Sequence, residues 1–281
     1  MREIDVRHLG REKVICCWEV DGVLVDPGPQ STEETLLEAI GGEKPRALLL
    51  THIHFDHAGA TGSLVRRWPD LEVYVHERGA PHLVDPAKLV KSAGRLYGGD
   101  EGLRRTWGEV VPVPEENLRV LAGGESVLDG AFRVEYTPGH ASHHVCYLHE
   151  PSRRAFVGDM AGVRVPPSDF TLAPTPPPDI DVAAWQRSLD VIAAWEPAGL
   201  ALTHFGAAED APAQLQAVRE ALQAQVAMLD GDEAAFVEAL QERVRAGTGE
   251  DAPSVLQAAP PDQLFLGLDR WRTKHGGASA T

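Results

Sequence analysis

Over the first 206 positions, apolar residues come in short runs broken by Gly, Pro and Asp, the rhythm of strands alternating with helices. VICCWEV (14–20) and VLVDPG (23–28) read as strands, with Asp21-Gly22 between them as a tight hairpin turn. In STEETLLEAIGG, Leu36, Leu37 and Ile40 keep helical spacing, Ser31 or Thr32 serves as N-cap and Gly41 as the stop. RALLLTH is an uninterrupted apolar run, as in a strand buried on both faces. HAGATGSLVRRWP turns helical and stops before Pro69, and LEVYVHE (71–77) alternates as a strand. Residues 79–113 keep no regular period. FRVEYTP (132–138), HVCYLHE (144–150) and RRAFVGD (153–159) read as strands, and Pro-rich APTPPPD (173–179) as a loop. DVAAWQRSLDVIAAWEP (181–197) puts Trp185, Leu189, Ile192 and Trp195 on one helical face, and GLALTHFG (199–206) is a last strand.

After Gly206 the period changes. Leu215, Val218, Leu222, Val226 and Leu229 recur at three- and four-residue steps, the stripe of one long amphipathic helix. Phe236, Leu240 and Val244 indicate a second helix, and Leu264, Phe265, Leu268 and Trp271 a third. These patterns predict an α/β catalytic domain over 1–206 and a helical extension over 207–281 packed on it. Covering a sheet face is the favoured role for the extension, and walling a substrate pocket the alternative. The tail GGASAT is expected to be disordered.

Acidic residues outnumber basic ones 42 to 26, a formal charge of −16, and no dense Lys/Arg run offsets it. Phosphate backbones repel such a chain, so nucleic acid is not the expected partner. Cys16, Cys17 and Cys146 are odd in number and form no CxxC, which fits a reducing cytoplasm rather than a disulfide framework. The charged start MREIDVRHLGREK shows no secretory signal, and no apolar run is long enough to span a bilayer. The expectation is a cytoplasmic protein acting on a small molecule, with no membrane partner; a homodimer is compatible with it.

The chemistry concentrates in THIHFDHAGA (51–60), where His52, His54, Asp56 and His57 fall within six positions. His52 and His54, two apart in extended chain, point to one side, and a turn after them aims Asp56 and His57 at a second point. Neutral imidazole and carboxylate are the donors that zinc and similar divalent metals take. His140 in TPGH, Asp159 in FVGD and His204 in LTHFG each follow a strand, where a loop can present them.

H-x-H-x-D-H on a strand-to-loop exit, then T-P-G-H, G-D and T-H-x-G in order over 52–204, resembles the metallo-β-lactamase-fold hydrolases. The pair VICCWEV/VLVDPG is similar to that family's opening hairpin. The resemblance implies a four-layer αβ/βα sandwich with the site at one edge between the sheets. It implies two divalent metal ions, zinc first, with iron or manganese as alternatives. His52, His54 and His140 would hold one, Asp56, His57 and His204 the other, and Asp159 would bridge them. Asp26 in VDPG matches a family Asp that supports a metal-ligating histidine, with a plain turn-former as the equal alternative.

Two such cations about 3.5 Å apart turn a shared water into a nucleophile near neutral pH, with Asp56 to orient it or take a proton. The implied activity is hydrolysis of a small thioester, lactone or ester. Asp159 stands where many β-lactamases of the family carry Cys, so the chain resembles glyoxalase II-type thioesterases and N-acyl-homoserine lactonases instead, and the helical tail is also similar to the glyoxalase II group. An iron-dependent oxidoreductase of persulfide dioxygenase type, a ribonuclease Z-like nuclease and a non-catalytic sensor are the alternatives. Tyr97, Phe170 and His144 are the candidates to line the substrate pocket.

Overall fold

The computed structural model describes residues 1–275; the expectation of a disordered GGASAT tail lies outside the described residues. A strand that the hydrophobic pattern does not announce opens the chain. Arg2–Asp5 (β1) pairs antiparallel with Cys16–Val20 (β2). Asp21 and Gly22, at φ 52° and 75°, make the turn into Val23–Val25 (β3), and both left-handed values are what an Asp-Gly hairpin turn requires. Thr32 stands at the N-cap of Glu33–Ala39 (α1), its hydroxyl donating back to Pro29 O.

Ala47–Leu49 (β4) leads to the short helices Phe55–Ala58 (α2) and Thr61–Arg67 (α3), then Val73–His76 (β5). The stretch without a period folds as three short helices, Ala80–Val84 (α4), Ala87–Gly94 (α5) and Asp100–Trp107 (α6), before the edge strand Leu118–Leu121 (β6). The first sheet runs β1-β2-β3-β4-β5-β6, parallel from β3 to β6.

The second sheet collects Ser126–Val127 (β7), Phe132–Tyr136 (β8), Val145–His149 (β9), Arg154–Gly158 (β10), Gly199–Leu202 (β11) and Gly206–Ala208 (β12), in the order β12-β11-β10-β9-β8-β7. β10 and β11 are parallel, joined through Val182–Ala194 (α7), whose first turn is capped by Asp181 accepting from Ala184 N at 2.9 Å. The last strand thus runs two residues past the boundary expected at 206. Ala211–Ala227 (α8), Glu233–Thr248 (α9), Ala252–Ala258 (α10) and Pro261–His275 (α11) follow. Among the described residues no helix is long and apolar enough to cross a membrane.

Three apolar clusters make four layers. Between the sheets, Trp18, Val25 and Leu49 meet Phe132, Tyr147 and Phe156. Outside the first sheet, Leu48 and Leu50 pack with Leu36, Leu64 and Leu83, so the period of two in ALLL sends alternate residues to opposite faces. Outside the second sheet, Leu148, Val157, Leu200 and Leu202 are covered by Trp185 and Leu189 of α7 and by Leu215, Val218, Phe236, Leu240 and Leu264 of the later helices. Each large side chain buried this way contributes about 1.5–3 kcal/mol as an upper figure. The fold is the expected four-layer sandwich with C-terminal helices.

Candidate metal centre

β4 ends at Leu49, and His52 and His54 lie on the extended segment beyond it rather than on the strand. Asp56 and His57 sit on α2, a single helical turn that begins two residues before the helix expected from His57 onward. His140 follows β8, Asp159 follows β10 and His204 follows β11, so both sheets deliver side chains to one edge. All seven expected ligands converge there, and His52, His57, His140 and His204 are fully buried.

His52 Nε2 lies 2.9 Å and His140 Nε2 3.1 Å from His54 Nδ1. His204 Nε2 is 3.2 Å from Asp56 Oδ2. Asp159 stands between the two groups, Oδ2 3.2 Å from His140 Nε2 and Oδ1 3.2 Å from His57 Nε2 and 3.5 Å from His204 Nε2.

The far side of each ring settles what these atoms are. His57 Nδ1–H donates to Asp26 Oδ2 at 2.8 Å, His140 Nδ1–H to Pro174 O at 2.9 Å and His204 Nδ1–H to Val14 O at 2.6 Å. The Thr51 hydroxyl donates to Asp26 Oδ2 at 2.7 Å and therefore accepts from His52 Nδ1–H at 3.1 Å. When neutral, each of these four rings aims a bare Nε2 lone pair inward, at carboxylate oxygens or other lone pairs. Acceptors facing acceptors in a buried place need a cation among them. His57 Nε2 and Asp159 Oδ1 are buried with no hydrogen-bond partner, as expected of atoms meant for one.

Electrostatics divides the centre. Burial, then the neighbouring His57, holds His52 well below the usual imidazole range. Burial and His140 bring His54 down to about 4, and burial lowers His140 as well. Burial also opposes charge on His57 and His204, but there Asp159 and Asp56 outweigh it and raise both. Burial disfavours ionised Asp56 and Asp159 too, yet His57 and its neighbours hold both carboxyls low. Positive charge is therefore favoured most around Asp56 and Asp159.

Asp26, buried and at φ 51°, accepts from Thr51 N (2.8 Å), Thr51 Oγ1, His57 Nδ1 and Thr203 Oγ1 (2.9 Å). It turns the chain and also accepts the Nδ1–H of His57. The sequence carried an unused signal here. Leu50-Thr51-His52 and Leu202-Thr203-His204 are the same tripeptide at the ends of β4 and β11, and both threonine hydroxyls donate to Asp26.

A cavity of about 450 Å³ opens onto His54, Asp56 and Asp159. Tyr97 lines it as expected, its phenol pushed up to about 12 by burial, with Asp56 adding to the shift. The other two pocket expectations are corrected. Phe170 packs against Gly247 of α9, away from the cavity, because the apolar cover of the second sheet draws it in. His144 is buried behind His52, its Nδ1 on Thr137 Oγ1 at 3.0 Å, and His143 lines the cavity instead. His8, stacked on Trp107 at 4.7 Å, was not foreseen: segments a hundred residues apart meet there and leave no periodic trace. Ala258 and Leu264, from α10 and α11, also line the cavity, so the later helices both cover the sheet and wall the pocket.

A sequence profile described as the metallo-beta-lactamase superfamily matches residues 19–204. The Probable metallo-hydrolase YqgX of Bacillus subtilis (strain 168) is 30% identical over 140 residues, 49% of this chain and 60% of that protein. A hydroxyacylglutathione hydrolase of Salmonella paratyphi A is 32% identical over 143 residues, 49% of this chain and 41% of that protein. The chain thus spans about half the length of the curated relatives it matches. An archaeal protein of the same superfamily from Sulfolobus tokodaii superposes with a TM-score of 0.70 over 97% of this chain and 98% of its own, at 22% identity, a likeness of fold.

Proposed function

Because the chain belongs to the metallo-beta-lactamase superfamily, matched over residues 19–204, we propose that it is a dinuclear metal-dependent hydrolase cleaving a small activated acyl bond in a thioester, lactone or ester. The observation that carries this reading is the inward convergence of lone pairs and carboxylates from His52, His54, Asp56, His57, His140, Asp159 and His204. A donor set of His and Asp without thiolate fits zinc, iron or manganese, with zinc the first choice. His52, His54 and His140 would hold one ion, Asp56, His57 and His204 the second, and Asp159, with one oxygen toward each group, both. When bound, two such ions supply a Lewis acid for the acyl oxygen and lower the pKa of water toward neutrality.

The chain's own residues supply the rest. Asp56 faces the cavity with its Oδ2 3.2 Å from His204 Nε2, a position from which it accepts a proton from attacking water. Tyr97 keeps its proton across the neutral range and offers a donor to substrate oxygen. Water adds across the acyl bond: the C–S or C–O bond breaks, one C–O bond forms, and the thiol or alcohol leaves with a proton. The Salmonella relative named for a glutathione thioester supports the thioester option.

The test is metal analysis of the purified protein beside a panel of thioesters, lactones and phosphodiesters. Two metal equivalents with thioester or ester hydrolysis is the expected result. One iron with thiol-dependent oxygen uptake, or phosphodiester cleavage alone, would overturn the reading.

A further inference from the structure

The cavity has two unlike walls. One is apolar and is assembled from three separate segments: Leu9 near the N-terminus, Leu96 and Trp107 from the α5–α6 region, and Leu264 on α11. Among the described residues five large apolar side chains are exposed, and two of them stand here, Leu9 at 58% and Leu96 at 39%. Leu9 is also held at φ 53°, a left-handed conformation that a leucine disfavours. The turn carrying it is tied down on both sides: His8 Nε2 sits 2.9 Å from Thr106 O, and Gln257 Nε2 donates to His8 O at 2.8 Å. Exposed leucines fixed at a cavity mouth mark a surface that an apolar ligand covers.

The other wall is cationic. Arg78, His82 and Lys88 line the cavity from α4, its approach and the first turn of α5. Among the described residues neither Arg78 nor Lys88 pairs with a carboxylate, whereas Arg66, Arg119 and Arg133 each do. The Arg78 guanidinium lies 5.8 Å from the centroid of the Tyr136 ring, which holds it without neutralising it. Asp179 also lines the cavity as a charged carboxylate, held by Ser142 Oγ at 2.5 Å, so Arg78 and Lys88 together outnumber it on this wall. In a chain of formal charge −16, two unneutralised cations beside a reaction site select for an anion.

We propose that this cavity is built for an amphiphilic acyl substrate, with an apolar arm lying against Leu9, Leu96, Trp107 and Leu264 and a carboxylate or phosphate held by Arg78 and Lys88. The inference rests on the acyl-hydrolase reading for its turnover, but the subsite is testable without it. The volume of about 450 Å³ suits an acyl chain of several carbons or an aryl group with one charged terminus.

Three thioesters of one acyl group separate the features: S-hexanoyl-N-acetylcysteamine is neutral, S-hexanoyl-3-mercaptopropionate carries a carboxylate and S-hexanoyl-4′-phosphopantetheine a phosphate. S-acetyl-3-mercaptopropionate keeps the charge and loses the arm. The expected order of kcat/KM puts the better of the two anionic hexanoyl compounds about tenfold or more above both the neutral and the acetyl compound, and that compound identifies which anion is read. Arg78→Ala and Lys88→Ala should each cut the anionic-to-neutral ratio of kcat/KM about tenfold, with Lys88→Arg restoring most of it. Leu9→Ser should instead narrow the hexanoyl-to-acetyl ratio. Equal kcat/KM for neutral and anionic hexanoyl compounds, or ratios unmoved by these variants, would overturn the subsite.

Calorimetric binding of the inert thioether S-hexyl-3-mercaptopropionate to the intact protein keeps the two readings apart. Binding that weakens about tenfold in Lys88→Ala, with no thioester, lactone or ester turned over, supports the subsite and sinks the hydrolase reading. Thioester turnover with no measurable charge preference does the reverse.

Discussion

The carboxylate of Asp26 accepts the Nδ1–H of His57 at 2.8 Å, and that single bond decides which nitrogen of His57 faces the centre. Three further donors, Thr51 N, Thr51 Oγ1 and Thr203 Oγ1, hold the same carboxylate in place. A group beyond the ligands thus fixes tautomer and aim for one of them. Replacing Asp26 with Asn should weaken metal binding about 10–100-fold, as loss of such an outer partner does. Because buried donors are left poorly matched, the protein should also lose about 2–3 kcal/mol of stability. Chelator competition and denaturant melts of Asp26→Asn measure the two effects, and unchanged affinity would remove Asp26 from the positioning role.

Asp159 turns one carboxylate oxygen to each histidine group, Oδ2 to His140 and Oδ1 to His57 and His204. Asp159→Ala should bring the metal content below two equivalents and lower kcat by at least about 100-fold. Chelation of the unaltered protein should cost activity and thermal stability together, because ions that bind only the folded state stabilise it. Added zinc should restore the unaltered protein and not the variant. Acid should act like chelator, since protons compete for the imidazole lone pairs.

The three cysteines give a pH dependence at the opposite end. Burial pushes the Cys146 thiol up to about 12 and raises Cys16 and Cys17 well above the ordinary range. The folded protein therefore keeps protons that the unfolded chain releases above a pH of about 8.5. With the unfolded state binding fewer protons, stability falls as pH rises through that value, by up to about 1.4 kcal/mol per thiol per pH unit. Urea melts between pH 7 and 10 should show this decline, shallower when the cysteines are replaced by Ala. An aromatic disulfide reagent at pH 8 should titrate three thiols only after unfolding.

Gly139 precedes His140 at φ 143°, and a Cβ there would lie 2.3 Å from Trp185 Cα. No side-chain rotation relieves a clash with backbone, so Gly139→Ala must push α7 away from the turn that presents His140. A loss of about 3 kcal/mol, or about 6–12 °C in Tm, is expected, together with weaker metal binding. Gly98→Ala, also at positive φ but with nothing within 4 Å, should cost about 1 kcal/mol and spare the metal.

The seven convergent residues were legible because metal chemistry restricts residue type and because each follows a strand with its own apolar run. The hairpin at Asp21-Gly22 and the face of α7 were legible for the same local reason. β1 and β6 were not: each is an edge strand with half its residues exposed, so REID and LRVL carry no alternation to detect. β7 and β12 hold two and three residues, too few to show a period. The pocket was read least well. Phe170 and His144 face other layers, while Leu9, Trp107 and His143 line the cavity, because a cavity wall is decided by which distant segments meet and not by neighbours in sequence.

Four of the seven inward-facing side chains hang from the first sheet and three from the second, with Trp18, Phe132 and Tyr147 among the side chains that fill the gap between. The centre is in effect a caliper whose jaws belong to different sheets. Its gape is set by the bulk of those three rings, none of which is a ligand. A residue such as Phe132, on the far side of the filling, becomes an adjusting screw: trimming it to Leu would let the jaws close by a fraction of an ångström, and the affinity for ions of different radius would register the change.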